Sequence, residues 1–280
     1  MSNGQVPAER PHTVPAAPRL SYTESGPDGP RAVVLLHSLG ADRRMWRDQI
    51  AGLRHRYRVV APDARGHGES GWVDPVDVHA WVADLRRVLD AAGVEDAALV
   101  GVSLGGIQAI AYAEAHPERV SALVVADSFV ELPADVAAAK IAGLAGQAAA
   151  EGMTATAESY VADTFTRVPP PDGTDLIRTA IAGMDVHAYA ESVRACFGAR
   201  IADRLAGVRA PTLVLWGDAD RKTPRALSER IAAGIDGAEL RDVPAAGHLS
   251  NLENPAVFTR LIDGFVGRAW RLPDAASGGN

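Results

Sequence analysis

The chain has 280 residues, 47% hydrophobic and 22% charged, with a formal charge of -7. This is the composition of an ordinary soluble globular protein, long enough to bury a large core without disulfides or metals. The acidic balance argues against a nucleic-acid partner, the single cysteine (Cys196) excludes an intramolecular disulfide, and no apolar run is long enough to span a bilayer.

Residues 1–18 are rich in Pro and Ala and lack periodicity, so they read as a loose, disordered arm. They hold no apolar stretch of the kind a secretory signal needs, and a cytoplasmic protein with no membrane partner is expected. Leu20–Ser25 is expected as an antiparallel strand at a sheet edge. Short apolar runs then recur at Ala32–His37, Arg58–Asp63, Ala97–Ser103, Ser121–Ser128, Thr212–Asp218 and Leu240–Pro244. Helical spacing separates them at Val78–Ala92, Leu104–His116 and Pro255–Phe265. Strands alternating with helices imply an α/β fold, a mostly parallel sheet flanked by helices. Parallel strands covered on both faces read as unbroken hydrophobic runs, as most of these do.

The rhythm breaks over residues 131–205, an Ala-rich stretch with helices expected at Ala134–Glu151, Thr154–Phe165, Asp175–Ala182 and Val186–Cys196. Val168–Gly173 (VPPPDG) reads as a rigid turn. The stretch is expected to be a helical cap inserted into a core of residues 19–130 and 206–270, with a tail at 271–280. Insertions of this size commonly bind ligand or cover a site.

Gly101-Val102-Ser103-Leu104-Gly105 matches G-x-S-x-G, a strand-to-helix elbow that presents a serine hydroxyl above a parallel sheet. The apolar run before it and the helix-competent LGGIQAIAYAEAH after it supply the required context; the alternative is an ordinary serine in a Gly-rich turn. A serine nucleophile needs a base, and the base an orienting acid. His116 precedes Pro117 at a helix end and His187 lies in the insertion. His248 follows the last strand, at the sheet edge where ligands gather in such folds, and is the expected base. Asp218, Asp220 and Asp127 all sit at strand ends as candidate acids, and spacing alone does not separate them. An oxyanion needs two backbone donors. Leu104, after the serine, offers one, and Leu39, in the loop after the first central strand, is chosen for the other.

Gly66-His67-Gly68-Glu69-Ser70-Gly71 fits G-x-G-x-x-G literally, but Trp72-Val73-Asp74-Pro75 follows it and no helix opens there, which argues against a dinucleotide site. No metal-binding pattern is legible either, so neither cofactor nor metal is expected.

HSLG (37–40), DARGHGES (63–70), GVSLGG (101–106), WGDAD (216–220) and AAGHLSNLENP (245–255) together resemble the α/β-hydrolase superfamily over about Leu20–Phe265. The resemblance implies Ser103 as nucleophile, His248 as base and, through the family's G-x-x-D pattern, Asp220 as acid. It also implies a helical cap between the sixth and seventh strands. HSLGADRRMW (37–46), MDVHAYAESVRACF (184–197) and GHLSNLENP (247–255) are most similar to 3-oxoadipate enol-lactonases. That implies cofactor-free opening of an enol-lactone in aromatic catabolism. A carboxylesterase, a general lactonase or a cofactor-free haloperoxidase is the enzymatic alternative, and a ligand-binding receptor on the same fold the non-enzymatic one. An anionic substrate needs a local cation in a chain of charge -7; Arg167, Arg178, Arg194 and Arg200 of the cap are the expected candidates.

Overall fold

The computed structural model describes residues 9–166 and 171–272. Eight strands form one sheet: β1 (Arg10–Val14), β2 (Leu20–Ser25), β3 (Arg31–Leu36), β4 (Val59–Pro62), β5 (Asp96–Val102), β6 (Val120–Ala126), β7 (Thr212–Gly217) and β8 (Glu239–Val243). Their order is β1-β2-β4-β3-β5-β6-β7-β8, with β1 and β2 antiparallel and the other six parallel. The helices are α1 (Arg47–Leu53), α2 (Val78–Ala91), α3 (Leu104–Ala115), α4 (Ala134–Thr164), α5 (Pro171–Ala182), α6 (Val186–Phe197), α7 (Arg225–Gly234), α8 (Ser250–Glu253) and α9 (Pro255–Ala269).

The central strands follow from their composition. Residues 32–36 of β3 and 97–102 of β5 are buried without interruption, because helices cover both sheet faces. Helix α2 starts where Asp77 caps it, its carboxylate accepting from the Ala80 N–H at 2.7 Å. It buries Trp81, Leu85, Val88 and Leu89 at helical spacing. Its late start leaves no helix N-terminus at Gly66–Gly71. That loop instead wraps Asp63, whose carboxylate accepts from the Arg43 and Glu69 N–H groups at 2.8 and 2.9 Å.

The N-terminal segment differs from expectation. Arg10–Val14 is a strand, so the ordered sheet begins inside the stretch read as a loose arm, and β2 is the second strand rather than the edge. The alternating half-buried, exposed pattern of β1 and its Pro11 suit an edge strand. His12 stacks on Tyr22 at 5.0 Å and Arg10 bonds Asp28 at 2.9 Å. Residues 1–8 and 273–280, the rest of the arm and most of the tail, lie outside the described residues.

The helical insertion follows β6. Its first long helix, α4, breaks at Gly152, which matches the boundary between the two helices expected there. Helix α5 begins at Pro171, inside the expected VPPPDG turn, because proline at a first helical position gives up no bond that a helix needs. Val168–Pro170 lie outside the described residues. Helices α1, α7 and α8 have no counterpart in the sequence reading. Among the described residues, no helix is long and apolar enough to cross a membrane.

Candidate active site

The C-terminal ends of β3, β5, β6, β7 and β8 converge on one edge of the sheet, where ligands bind in open parallel folds. Ser103 closes β5 and opens α3 with φ 55° and ψ −114°, a strained conformation for a residue bearing a Cβ. Neighbours hold it there. Its N–H donates to the Ala126 carbonyl at 2.9 Å, and its carbonyl accepts from Ser128 Oγ at 2.6 Å.

Two glycines make the tight elbow possible. A Cβ on Gly101 would lie 2.1 Å from the Gly105 carbonyl oxygen, and one on Gly105 would lie 2.1 Å from the Leu36 carbonyl oxygen. Backbone atoms cannot swing aside as a side chain can. Gly105→Ala is therefore expected to cost about 3 kcal/mol or more. For a chain of this size that is a fall of roughly 6–12 °C in Tm, read by thermal melting; an unchanged melt would mean that β3 and α3 pack less closely than described.

His248 lies in the loop after β8, and its Nε2 is 3.1 Å from Ser103 Oγ. Its Nδ1 is 3.0 Å from Asp220 Oδ2. Asp220 sits in the turn after β7, where Oδ1 accepts from the Lys222 and Thr223 N–H groups at 2.7 and 3.1 Å, and the Thr223 hydroxyl donates to Oδ2. All three residues of the line are buried. Burial works against ionisation of Asp220, but the facing His248 and the Thr223 hydrogen bonds outweigh it and hold the carboxyl below its usual range.

The other candidates stand apart from this line. Asp218 Oδ1 accepts from the Ala246 N–H at 3.3 Å. Asp127 is fully buried; Oδ1 accepts from the Gly217 N–H at 2.8 Å and Oδ2 from the Ser250 hydroxyl and N–H. It thereby ties the ends of β6 and β7 to the start of α8 behind His248. Burial, and then the Asp220 charge, push Asp127 well above its usual range. Two neighbouring carboxyls are thus separated by environment, one kept ionised and the other kept neutral. His116 packs on Tyr112 at 4.7 Å and His187 on Trp72 at 5.1 Å.

The Leu39 loop is set by a buried histidine. The Ala64 N–H donates to His37 Nε2 at 2.9 Å, so the ring proton sits on Nδ1 and donates to the Ser38 carbonyl at 2.8 Å. That carbonyl also accepts from the Ala41 N–H at 3.1 Å. In a trans peptide the following N–H points the opposite way, so Leu39 N–H faces away from these bonds. Among the described residues, neither Leu39 N–H nor Leu104 N–H is bonded to a protein acceptor. Burial lowers the pKa of His37, which favours the neutral ring this tautomer requires.

Ser103, His248 and Leu39 open onto a cavity of about 230 Å³ between the sheet edge and the cap. Phe129, Leu132, Leu144 and Phe197 make its apolar wall, and Lys140, Asp163 and Lys222 its charged one. Cys196 also lines it, with its thiol pushed up to about 12 by burial, which leaves it un-ionised and a poor nucleophile.

The cap arginines do not meet the expectation placed on them. Arg178 pairs with Glu158 and Asp175, Arg194 with Glu191 and Arg200 with Glu131. Among the described residues no arginine lines the cavity; Arg167 lies outside those residues. The guanidinium groups are taken up by nearby carboxylates at the surface, where such pairs form readily. The cations at the cavity, Lys140 and Lys222, were not among the sequence candidates. A signal existed: of 28 Lys and Arg residues only these two are lysine.

Fold and site together define the class: the chain belongs to the alpha/beta hydrolase fold family, which it matches over residues 31–255. It is 31% identical over 248 residues to 3-oxoadipate enol-lactonase 1 of Acinetobacter baylyi, across 88% of this chain and 92% of that protein. The crystal structure of the enol-lactonase from Burkholderia xenovorans LB400 is similar with a TM-score of 0.81 at 27% identity, over 90% of this chain and 97% of that one. A thermophilic esterase from Thermogutta terrifontis is similar at 0.83 and 26% identity, over 94% and 99% of the two chains.

Proposed function

We propose that this protein is a serine hydrolase of small lactones or esters, with 3-oxoadipate enol-lactone as its first candidate substrate. The observation that carries the reading is the hydrogen-bonded line Asp220–His248–Ser103 ending in the same cavity as Leu39. Ser103 Oγ attacks the carbonyl carbon while His248 Nε2 takes its proton. Asp220 holds the imidazole with its Nδ1 protonated and stabilises the cation that forms. The tetrahedral oxyanion lies against the Leu39 and Leu104 N–H groups, which have no other protein acceptor to give up. Collapse breaks the ring C–O bond and His248 returns the proton to the leaving oxygen. Water, deprotonated by His248, then cleaves the acyl-enzyme. An enol leaving group tautomerises to the ketone, which makes ring opening effectively irreversible.

The similarity to the enol-lactonases supports the lactone. The apolar wall and the similarity to the T. terrifontis esterase favour a second reading, a carboxylesterase of broader range. Initial rates on the enol-lactone and on a panel of neutral 4-nitrophenyl esters separate the two. The lactone is expected to give a kcat/KM at least a hundredfold above the best ester. Good ester turnover with none on the lactone would establish the esterase instead, and binding without turnover of anything would point to a receptor.

A further inference from the structure

We propose that Lys140 is a specificity-determining residue that binds a carboxylate on the substrate, so that the protein selects anionic esters and lactones over neutral ones of the same shape. The proposal rests on the hydrolase reading above. The chain carries 26 arginines and two lysines, and both lysines line the cavity that holds Ser103 and His248.

The two lysines are not equivalent. Lys222 Nζ is 2.6 Å from Asp163 Oδ2 and lies over the Tyr160 ring at 5.1 Å, so its charge is largely answered. Lys140, half-buried on α4, has its Nζ over the Phe197 ring at 5.5 Å. Among the described residues no carboxylate stands within ion-pair distance of it. With Lys140, Lys222 and Asp163 at the wall, the charged lining carries a net positive charge within a chain of charge -7. A desolvated ammonium beside an aromatic and an apolar wall is a strong receptor for a carboxylate, because water competes weakly there. A lysine is also the right cation: a compact charge on a long stem reaches ligands of different length, whereas a guanidinium would be claimed by the carboxylates around it.

The test uses two charged half-esters, 4-nitrophenyl hydrogen glutarate with its charge on the acyl side and 4-(butyryloxy)benzoate with its charge on the alcohol side, and the methyl ester of each. The wild type is expected to prefer at least one anion over its methyl ester in kcat/KM. Lys140→Met and Lys140→Gln should each reduce that preference at least tenfold, and Lys140→Arg should keep part of it. The wild-type preference should shrink with rising salt. Absence of any preference, or a preference that survives in both variants, overturns the proposal while leaving the hydrolase reading intact. Should the wild type hydrolyse none of the four, the hydrolase reading fails and binding still decides the inference. Methyl hydrogen glutarate titrated calorimetrically into Ser103→Ala should bind at least tenfold more tightly than into Ser103→Ala/Lys140→Met, and equal affinities would overturn it.

Discussion

Ser103→Ala and His248→Ala are each expected to lower kcat by ~10⁴–10⁶ while the fold survives. The 3.1 Å contact between Oγ and Nε2 makes each useless without the other, so the double variant should be little slower than either single one. Residual activity would come from the backbone donors and the cavity alone. Steady-state kinetics on the best substrate, with circular dichroism to show that each variant is folded, checks this. A Ser103→Ala enzyme near wild-type rate would remove the basis of the hydrolase reading.

Replacing the three candidate acids by their amides should give three different results. Asp220→Asn loses the carboxylate that His248 Nδ1 faces at 3.0 Å and is expected to cost about 10⁴ in kcat, because an amide neither fixes the working tautomer nor balances the imidazolium. Asp218→Asn, bonded to the Ala246 N–H, should stay within a few-fold of wild type. Asp127→Asn should also keep most activity, since burial and the Asp220 charge already keep that carboxyl neutral and an amide has nearly the same shape. Its signature is in stability. A carboxyl whose pKa is raised on folding penalises the folded state as pH climbs above its unfolded value of about 4. Wild type should therefore lose stability relative to Asp127→Asn as pH rises through that region. Denaturant titrations at several pH values read the difference. A large loss of activity in Asp127→Asn beside a mild Asp220→Asn would reverse the roles.

The parallel strands were legible because burial on both faces leaves a plain mark, five or six apolar residues in a row, and β3, β5, β6 and β7 carry it. The elbow was legible because its backbone admits only glycine at 101 and 105. β1 left no such mark: an edge strand with one half-buried face and a proline looks like a loop, and its pairing with β2 is a contact no local pattern announces. Asp220 could not be separated from Asp218 and Asp127 by spacing, because what distinguishes it is the direction of a side chain, fixed by the Thr223 and Lys222 amides. The cap arginines misled for a related reason. Sequence counts charges but does not show which are already paired, and every described arginine among the four is.

The cap joins the sheet in an unusual place for so large an insertion. β6 and β7, between which it lies, are neighbours and pair directly through Leu123–Ala126 and Thr212–Leu215. Its two ends meet where the Ile201 N–H donates to the Val130 carbonyl at 3.0 Å. The sheet's register is thus closed beneath the cap and takes nothing from it, and the entropy of closing the insertion varies only slowly with its length. Heredity can then act on the two halves separately. The reaction is written into the sheet edge and passes unchanged between descendants. The choice of substrate is written into a detachable module that can be lengthened, trimmed or exchanged without disturbing the machinery below.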